Sequence, residues 1–376
     1  AILYTSGTTG RSKGAMLSHR NLVSNALTLD EFWGFRAERE AGRQDVLLHA
    51  LPLFHVHGLF VASHAALLGG AQTLLLPRFD MNAVLDRLPR STVMMGVPTF
   101  YTRLLGDKAF GPEHCRSMRL FIAGSAPLLA ETHQQFEQRT GHRIVERYGM
   151  SETLMLASNP YFPEQGQPIA GTVGVPLPGV GVRVIDATGD ECSAGDTGGV
   201  QVRGPNVFSG YWRLPDKTRE EFTADGWFKT GDVGHFGGPA APARYLSLVG
   251  RSRDLIISGG YNVYPKEIEG YIDEMAGVVE SAVIGVPHAD FGEAVVAVIV
   301  VERNSVLKSA TVVDSLKGRI ANYKVPKTTF FVENLPRNAM GKVQKNVLRE
   351  RYKSTFAEAG IAGRVKLSSS RAVATE

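Results

Sequence analysis

A dense run of hydroxyls, glycines and one lysine stands near the start of the sequence, Tyr4-Thr5-Ser6-Gly7-Thr8-Thr9-Gly10-Arg11-Ser12-Lys13-Gly14. Glycines let a backbone turn sharply and aim its N–H groups at an anion, while hydroxyls and an ammonium add donors and charge. Set between a strand and a helix, such a loop suits a polyphosphate. It is not a Walker A loop, because Gly14 follows Lys13 where serine or threonine would be needed. A flexible polar loop is the bland reading, and the density of donors argues against it. Other reactive side chains are ambiguous when read alone. Glu152 also reads as a helix cap, His57 as a core histidine, and Lys342 as a solvated surface charge. By pattern, Arg103 is the exposed face of an amphipathic helix, with Phe100 and Leu104 packing inward.

The elements that must position these residues come in three textures. Residues 1–19 read as strand, loop and helix start. Apolar, β-branched runs follow at 46–51, 73–76, 93–97 and 120–122, separated by helical stretches at 81–88, 99–105 and 130–140. Strands alternating with helices predict an α/β fold on a largely parallel sheet. From about Gly171, prolines and glycines punctuate short strands such as 181–185 and 199–203, the pattern of an antiparallel β region. After Val249 a short helix at 265–273, strands at 282–286 and 294–301 and a helix at 312–322 predict a small α+β domain. The expected organisation is therefore 1–250 as part of a large domain, 251–352 as a small mobile domain, and 353–376 as a polar tail.

The opening loop resembles the phosphate-loop motif of the adenylate-forming superfamily, which holds acyl-CoA synthetases, peptide-synthetase adenylation domains and firefly luciferase. Five further motifs in matching order extend the resemblance over almost the whole chain. It implies that Thr5, Ser6, Gly7, Thr8, Thr9 and Lys13 hold the phosphates of ATP. In Arg147-Tyr148-Gly149-Met150-Ser151-Glu152-Thr153 it implies Tyr148 on adenine, Glu152 on Mg²⁺ and Thr153 on the α-phosphate, with Met150 beside the acyl group. Chemistry agrees, since an aromatic face suits a base and a hard carboxylate suits Mg²⁺ shared with phosphate. Asp232 of Thr230-Gly231-Asp232 would accept from both ribose hydroxyls. Arg251 would reach the nucleotide, and Arg253 or Asp254 would be the hinge. Lys342, in Pro336-Arg337-Asn338-Ala339-Met340-Gly341-Lys342, would be inserted at the α-phosphate. Gly259, Gly260 and Tyr261 would line the tunnel for coenzyme A, although an ordinary turn also explains the glycines. Some relatives carry arginine where this chain has Tyr261-Asn262.

Within the superfamily the chain looks similar to malonyl-CoA synthetases. That implies malonate as the acid, activated as an acyl-adenylate before transfer to coenzyme A. Arg103 would pair with the unreacting carboxylate, as a planar guanidinium can with two hydrogen bonds. His57, in Leu51-Pro52-Leu53-Phe54-His55-Val56-His57-Gly58, and Ser125 would complete the pocket. A medium- or long-chain fatty acyl-CoA synthetase and a peptide-synthetase adenylation domain are the rivals.

Composition bounds these expectations. The 376 residues, 43% hydrophobic and 21% charged, are ordinary for a globular enzyme of two or three domains. A net charge of +4 spread over 41 basic and 37 acidic residues suits anionic small molecules and makes no case for nucleic acid. No apolar run is long enough to cross a bilayer. Cys115 and Cys192 stand far apart, so neither a disulfide framework nor a zinc site is expected, and a reducing, cytoplasmic compartment is the simple reading. The sequence leaves the oligomeric state open. It begins in mid-strand at Ala1, from which a truncated chain is expected, its isolated residues serving only as a binding fragment.

Overall fold

The apolar runs of the first texture assemble as one sheet in the computed structural model, which describes residues 1–5, 12–126, 128–238, 241–303, 305–337 and 342–356. Strands Gln72–Leu75, Val46–His49, Val93–Gly96, Leu120–Ala123 and Ile144–Met150 lie side by side and parallel. Leu154–Ser158 and Val175–Pro176 then extend the sheet in antiparallel sense. The crossovers are helices Met81–Arg87, Pro98–Gly106 and Ala130–Thr140. Covered on its faces, the parallel part reads as near-continuous apolar sequence, and Leu47, Met94, Phe121, Ile122 and Ile144 are all buried. A second sheet orders Gly181–Ile185, Gly198–Arg203, Phe228–Gly238 and Ala241–Arg251. Fold class is thus as the sequence implies.

The opening segment departs from expectation. Lys13–Met16 is a second strand, antiparallel to Ile2–Thr5 with Thr5 opposite Lys13, and the helix starts only at His19. The extended form persists because neighbouring backbone satisfies it. Met16 N donates to Gly210 O at 2.9 Å, and Trp212 N donates to Gly14 O at 2.8 Å. Ser18 then caps the helix His19–Phe32, accepting from Asn21 N at 3.1 Å while the Asn21 side chain accepts from Ser18 N at 2.8 Å.

The chain divides into two compact units, 1–248 and 249–376. In the second unit, Gly292–Val301 pairs antiparallel with Val278–His288 and parallel with Thr328–Val332. Alternation is strict: Val283, Val295, Ala297 and Ile299 face the helices Pro265–Asp273 and Ser309–Leu316 through Ile268, Ile272, Val312 and Leu316. On the opposite face Ala282, Ile284, Val296 and Val298 pack with Leu348 of the helix Lys345–Tyr352. The helix expected at 312–322 ends earlier, at Leu316, because Gly318 turns left-handed (φ 81°). Of the expected polar tail, residues 357–376 lie outside the described residues.

Candidate active site

The tip of one hairpin gathers several of the expected nucleotide residues. Ile144–Met150 and Leu154–Ser158 pair with Met150 opposite Leu154, so Ser151, Glu152 and Thr153 form the turn. Leu154 closes it with φ 55°, a left-handed conformation that costs a non-glycine residue roughly 1–2 kcal/mol. Side chains from elsewhere hold that strain. Asn206 Nδ2 donates to Thr153 O at 2.7 Å and Met155 O at 3.0 Å, and Asn25 Nδ2 donates to Met155 O at 2.9 Å. Asn25 and Asn206 escape sequence reasoning, since nothing local marks a partner so distant in the chain.

Residues expected from separate motifs meet at this tip. Tyr148 donates its phenolic hydrogen to Asp232 Oδ2 at 2.6 Å, joining the adenine and ribose residues, and both are buried. Glu152, also buried, accepts from Tyr211 at 2.9 Å through Oε1. Lys13 Nζ lies 4.3 Å from the centre of the Tyr211 ring and 3.9 Å from Glu221 Oε1. Tyr211 therefore connects the lysine of the first motif with the carboxylate of the second, a role no motif announced. Burial, with Glu152 beside it, pushes the Tyr211 phenol far above its usual range, so it stays a neutral donor. Thr153 is fully buried and donates to Leu154 O at 3.2 Å. Ser6, Gly7, Thr8 and Thr9 lie outside the described residues, and Thr5 ends its strand opposite Lys13.

A second cluster sits one residue away on the same strand. Arg147 precedes Tyr148, and strand alternation sends the two side chains to opposite sides. The Arg147 guanidinium packs on Gly124, where an added Cβ would lie 2.4 Å from Cζ. Arg147 is 3% exposed, and its Nε and Nη2 are buried without a hydrogen-bond partner among the described residues. Burial lowers its pKa to about 9, which leaves it cationic at neutral pH. His57, at the head of a π-helical turn, is 1% exposed, with Nδ1 3.4 Å from Ser125 Oγ and a buried Nε2 that has no partner among the described residues. Burial first, then the Arg147 charge, hold His57 well below the usual histidine range and hence neutral. Ser125 adopts φ 70° just past the strand Leu120–Ala123. The neighbouring Glu146 carboxylate offsets the cost of burying Arg147 only in part, and a buried cation beside neutral polar atoms suits an anion. Met150, at the hairpin end, is half-buried.

Arg103, expected to pair with a substrate carboxylate, lies on the exposed face of its helix. Helix Pro98–Gly106 buries Phe100, Tyr101 and Leu104 and leaves Arg103 exposed, its guanidinium 5.9 Å from the Phe79 ring centre. Among the described residues it has no hydrogen-bond or ion-pair partner. Burying the three apolar side chains turns Arg103 to the open face of the helix, where its guanidinium is accessible to a ligand.

In the second unit, Arg251 leads into a short turn Ser252–Asp254, and Asp254 accepts from Arg349 at 2.8 Å. Gly259 and Gly260 (φ 58° and 82°) link Ile256–Ser258 to Tyr261–Val263, the double left-handed turn of a tight hairpin. Lys342 is half-buried, next to the Arg337–Val343 bridge and ahead of the helix anchored by Leu348. Asn338, Ala339, Met340 and Gly341 of its motif lie outside the described residues. Among the described residues, no helix is long and apolar enough to cross a membrane, and no three His, Cys, Asp or Glu gather as a metal site.

Comparison with known proteins agrees with this geometry. Residues 1–212 match the family described as AMP-binding enzyme, and residues 267–342 match the AMP-binding enzyme C-terminal domain. The chain is 38% identical to the mitochondrial malonate–CoA ligase of Mus musculus, over 94% of this chain and 64% of the relative. It is 36% identical to the sulfoacetate–CoA ligase of Cupriavidus necator, over 92% of this chain and 65% of the relative. The chain thus spans less than two thirds of the length of these relatives. The crystal structure of ATP-bound MatB from Rhodopseudomonas palustris superposes with TM-score 0.89 at 56% identity, covering 95% of this chain and 68% of that one. With one family model spanning more than half of its residues and a second matching its C-terminal unit, the chain belongs to the AMP-binding enzyme family.

Proposed function

We propose that the chain acts as an AMP-forming acid–thiol ligase that makes malonyl-CoA from malonate, ATP and coenzyme A. The observation that carries the choice of acid is the Arg147 guanidinium, buried beside His57 and Ser125 with no hydrogen-bond partner for its Nε and Nη2 among the described residues. A dicarboxylate places one group at the nucleotide and leaves the second to be neutralised. The exposed Arg103 and the buried Arg147 are both candidates to meet it. A fatty acid would bring no second anion to either arginine, which disfavours the long-chain rival. Two relatives support the reading by name, since malonate and sulfoacetate each carry a second anionic group.

In the first half-reaction a carboxylate oxygen of malonate attacks the α-phosphorus of ATP. The bond to the bridging oxygen breaks and pyrophosphate leaves, giving malonyl-AMP. The thiol sulfur of coenzyme A then attacks the acyl carbonyl, and AMP departs. No protein nucleophile is required, so the work is positioning and charge stabilisation. Tyr148 would face adenine, Asp232 would accept from the ribose hydroxyls, and Thr5, Ser6, Gly7, Thr8, Thr9 and Lys13 would surround the phosphates. Thr153 and Lys342 would serve the α-phosphate, with Arg251 reaching the nucleotide and Arg253 or Asp254 acting as hinge. Glu152 fits a magnesium ion that accompanies ATP, because its buried carboxylate accepts from the neutral hydroxyl of Tyr211, and one carboxylate plus phosphates is how Mg²⁺ is commonly held. Bound there, the ion would supply neutralisation of phosphate charge.

Pyrophosphate exchange with malonate, methylmalonate, sulfoacetate, acetate and octanoate tests the proposal. Malonate is expected to support exchange best, and Arg103→Leu and Arg147→Met each to weaken the preference for a second anion. Equal exchange with octanoate and malonate would overturn the assignment.

A further inference from the structure

The stretch that carries Lys342 is basic on both sides, and its flanking cations meet acids contributed by the rest of the second unit. Ahead of Lys342, Arg337 Nη2 donates to Glu280 Oε2 on the strand Val278–His288. Behind it, Lys345 Nζ lies 2.6 Å from Glu269 Oε1 on the helix Pro265–Asp273. Further along, Arg349 reaches Asp254 at 2.8 Å. Glu269 is buried, and its Oε1 also accepts from Val283 N at 2.8 Å, so one carboxylate ties Lys345 to both helix and sheet. Main-chain contacts close the base of the stretch: Gln344 N donates to Pro336 O at 2.8 Å, and Arg337 bridges to Val343 in antiparallel sense.

Leu335 and Leu348, buried on either side, set how deep this stretch sits against the sheet. Apolar burial is non-directional, so it leaves the lateral position open. Ion pairs with fixed partners supply the missing direction. Precision matters here, because a lysine ammonium stands at the end of a flexible four-carbon stem and its reach is set by its backbone. A misplacement of about 1 Å can cost about a hundredfold in rate. We infer that Glu269 and Glu280 are positioning residues for Lys342: by holding Lys345 and Arg337 they fix the two ends of the stretch that presents its ammonium to the α-phosphate. The inference rests on the acid–thiol ligase reading and deepens it by naming the carboxylates through which Lys342 is aimed.

The test measures malonyl-AMP formation beside thioester formation from supplied malonyl-AMP, which is not expected to need Lys342 and so checks folding. Glu280→Gln should slow the first step roughly tenfold or more and leave the second near wild type. In a Lys342→Ala background the same substitution should change nothing further, because a residue that acts through another has no effect once that other is gone. Exchanging the charges in Arg337→Glu/Glu280→Arg should restore most of the rate that either reversal alone removes. Glu269→Gln leaves Lys345 without its acid, and removing one partner of a buried pair is strongly destabilising. The double variant Glu269→Gln/Lys345→Met removes both charges, should fold, and should again slow only the first step. Equal losses in both steps, an unchanged first step, a full further loss in the Lys342→Ala background, or a charge exchange that restores nothing overturns the inference. Absence of malonate-dependent pyrophosphate exchange in the wild type strikes the ligase reading instead.

Discussion

Replacing Arg147 by methionine should stabilise the large unit while weakening its use of malonate. The guanidinium is 3% exposed, and burial lowers its pKa from 12.5 to about 9. That difference is about 3.5 pH units, which at about 1.4 kcal/mol each makes the cost of keeping the charge buried at most about 5 kcal/mol. Relaxation and water reduce such figures, and exchanging buried ions for apolar residues of similar volume commonly stabilises by about 1–4 kcal/mol. Because the folded pKa is depressed, the unfolded chain holds this proton to higher pH. The penalty is therefore complete below about pH 9 and fades only as pH rises from there toward 12.5. Urea denaturation at pH 7 and pH 8.5 should show the methionine variant more stable by the same margin at both. A saturating anion should recover the cost in the wild type: at about 100 times Kd, malonate should add about 2.7 kcal/mol, while the variant gains less. Acetate should shift neither protein. A variant less stable than wild type, or one that still exchanges pyrophosphate with malonate at full rate, would refute the reasoning.

Three further tests address the rest of the site. Tyr211→Phe removes the hydroxyl that reaches Glu152 at 2.9 Å, a hydrogen bond to a charged group worth roughly 1.5–3 kcal/mol; the magnesium requirement of pyrophosphate exchange should rise about tenfold or more, and an unchanged titration would exclude this link. Lys342→Ala should slow malonyl-AMP formation by about a hundredfold or more while thioester formation from supplied malonyl-AMP stays near wild type, since one charge contact is commonly worth roughly 3–4 kcal/mol in a transition state; equal effects on both half-reactions would deny the lysine its role. Asp273, largely buried in the second unit, has its pKa raised by burial from 3.8 to about 7, so the wild type loses stability as pH climbs through that window. Asp273→Asn should be more stable than wild type at pH 8, by at most about 4 kcal/mol, with the advantage vanishing near pH 4; a constant difference across that range would show that titration is not the cause.

Sequence alone determined the fold class and the nucleotide motifs because their signals are local. Alternating apolar runs such as Val93–Gly96 and Leu120–Ala123 specify buried parallel strands, and the motif around Tyr148, Glu152 and Thr153 keeps its chemistry within one hairpin. Spacing also predicts the exposure of Arg103, which follows from the apolar stripe of its own helix. What only the tertiary structure decided is which distant groups meet. Lys13 and Glu152 are connected through Tyr211, Tyr148 finds Asp232, and the strained Leu154 turn depends on Asn25 and Asn206. The status of Arg147 was equally hidden. An arginine beside a motif tyrosine is usually a surface charge, and its burial becomes visible only when Gly124 and the sheet close over it. Burial and pairing are properties of the packed chain, so no local pattern of residues can encode them.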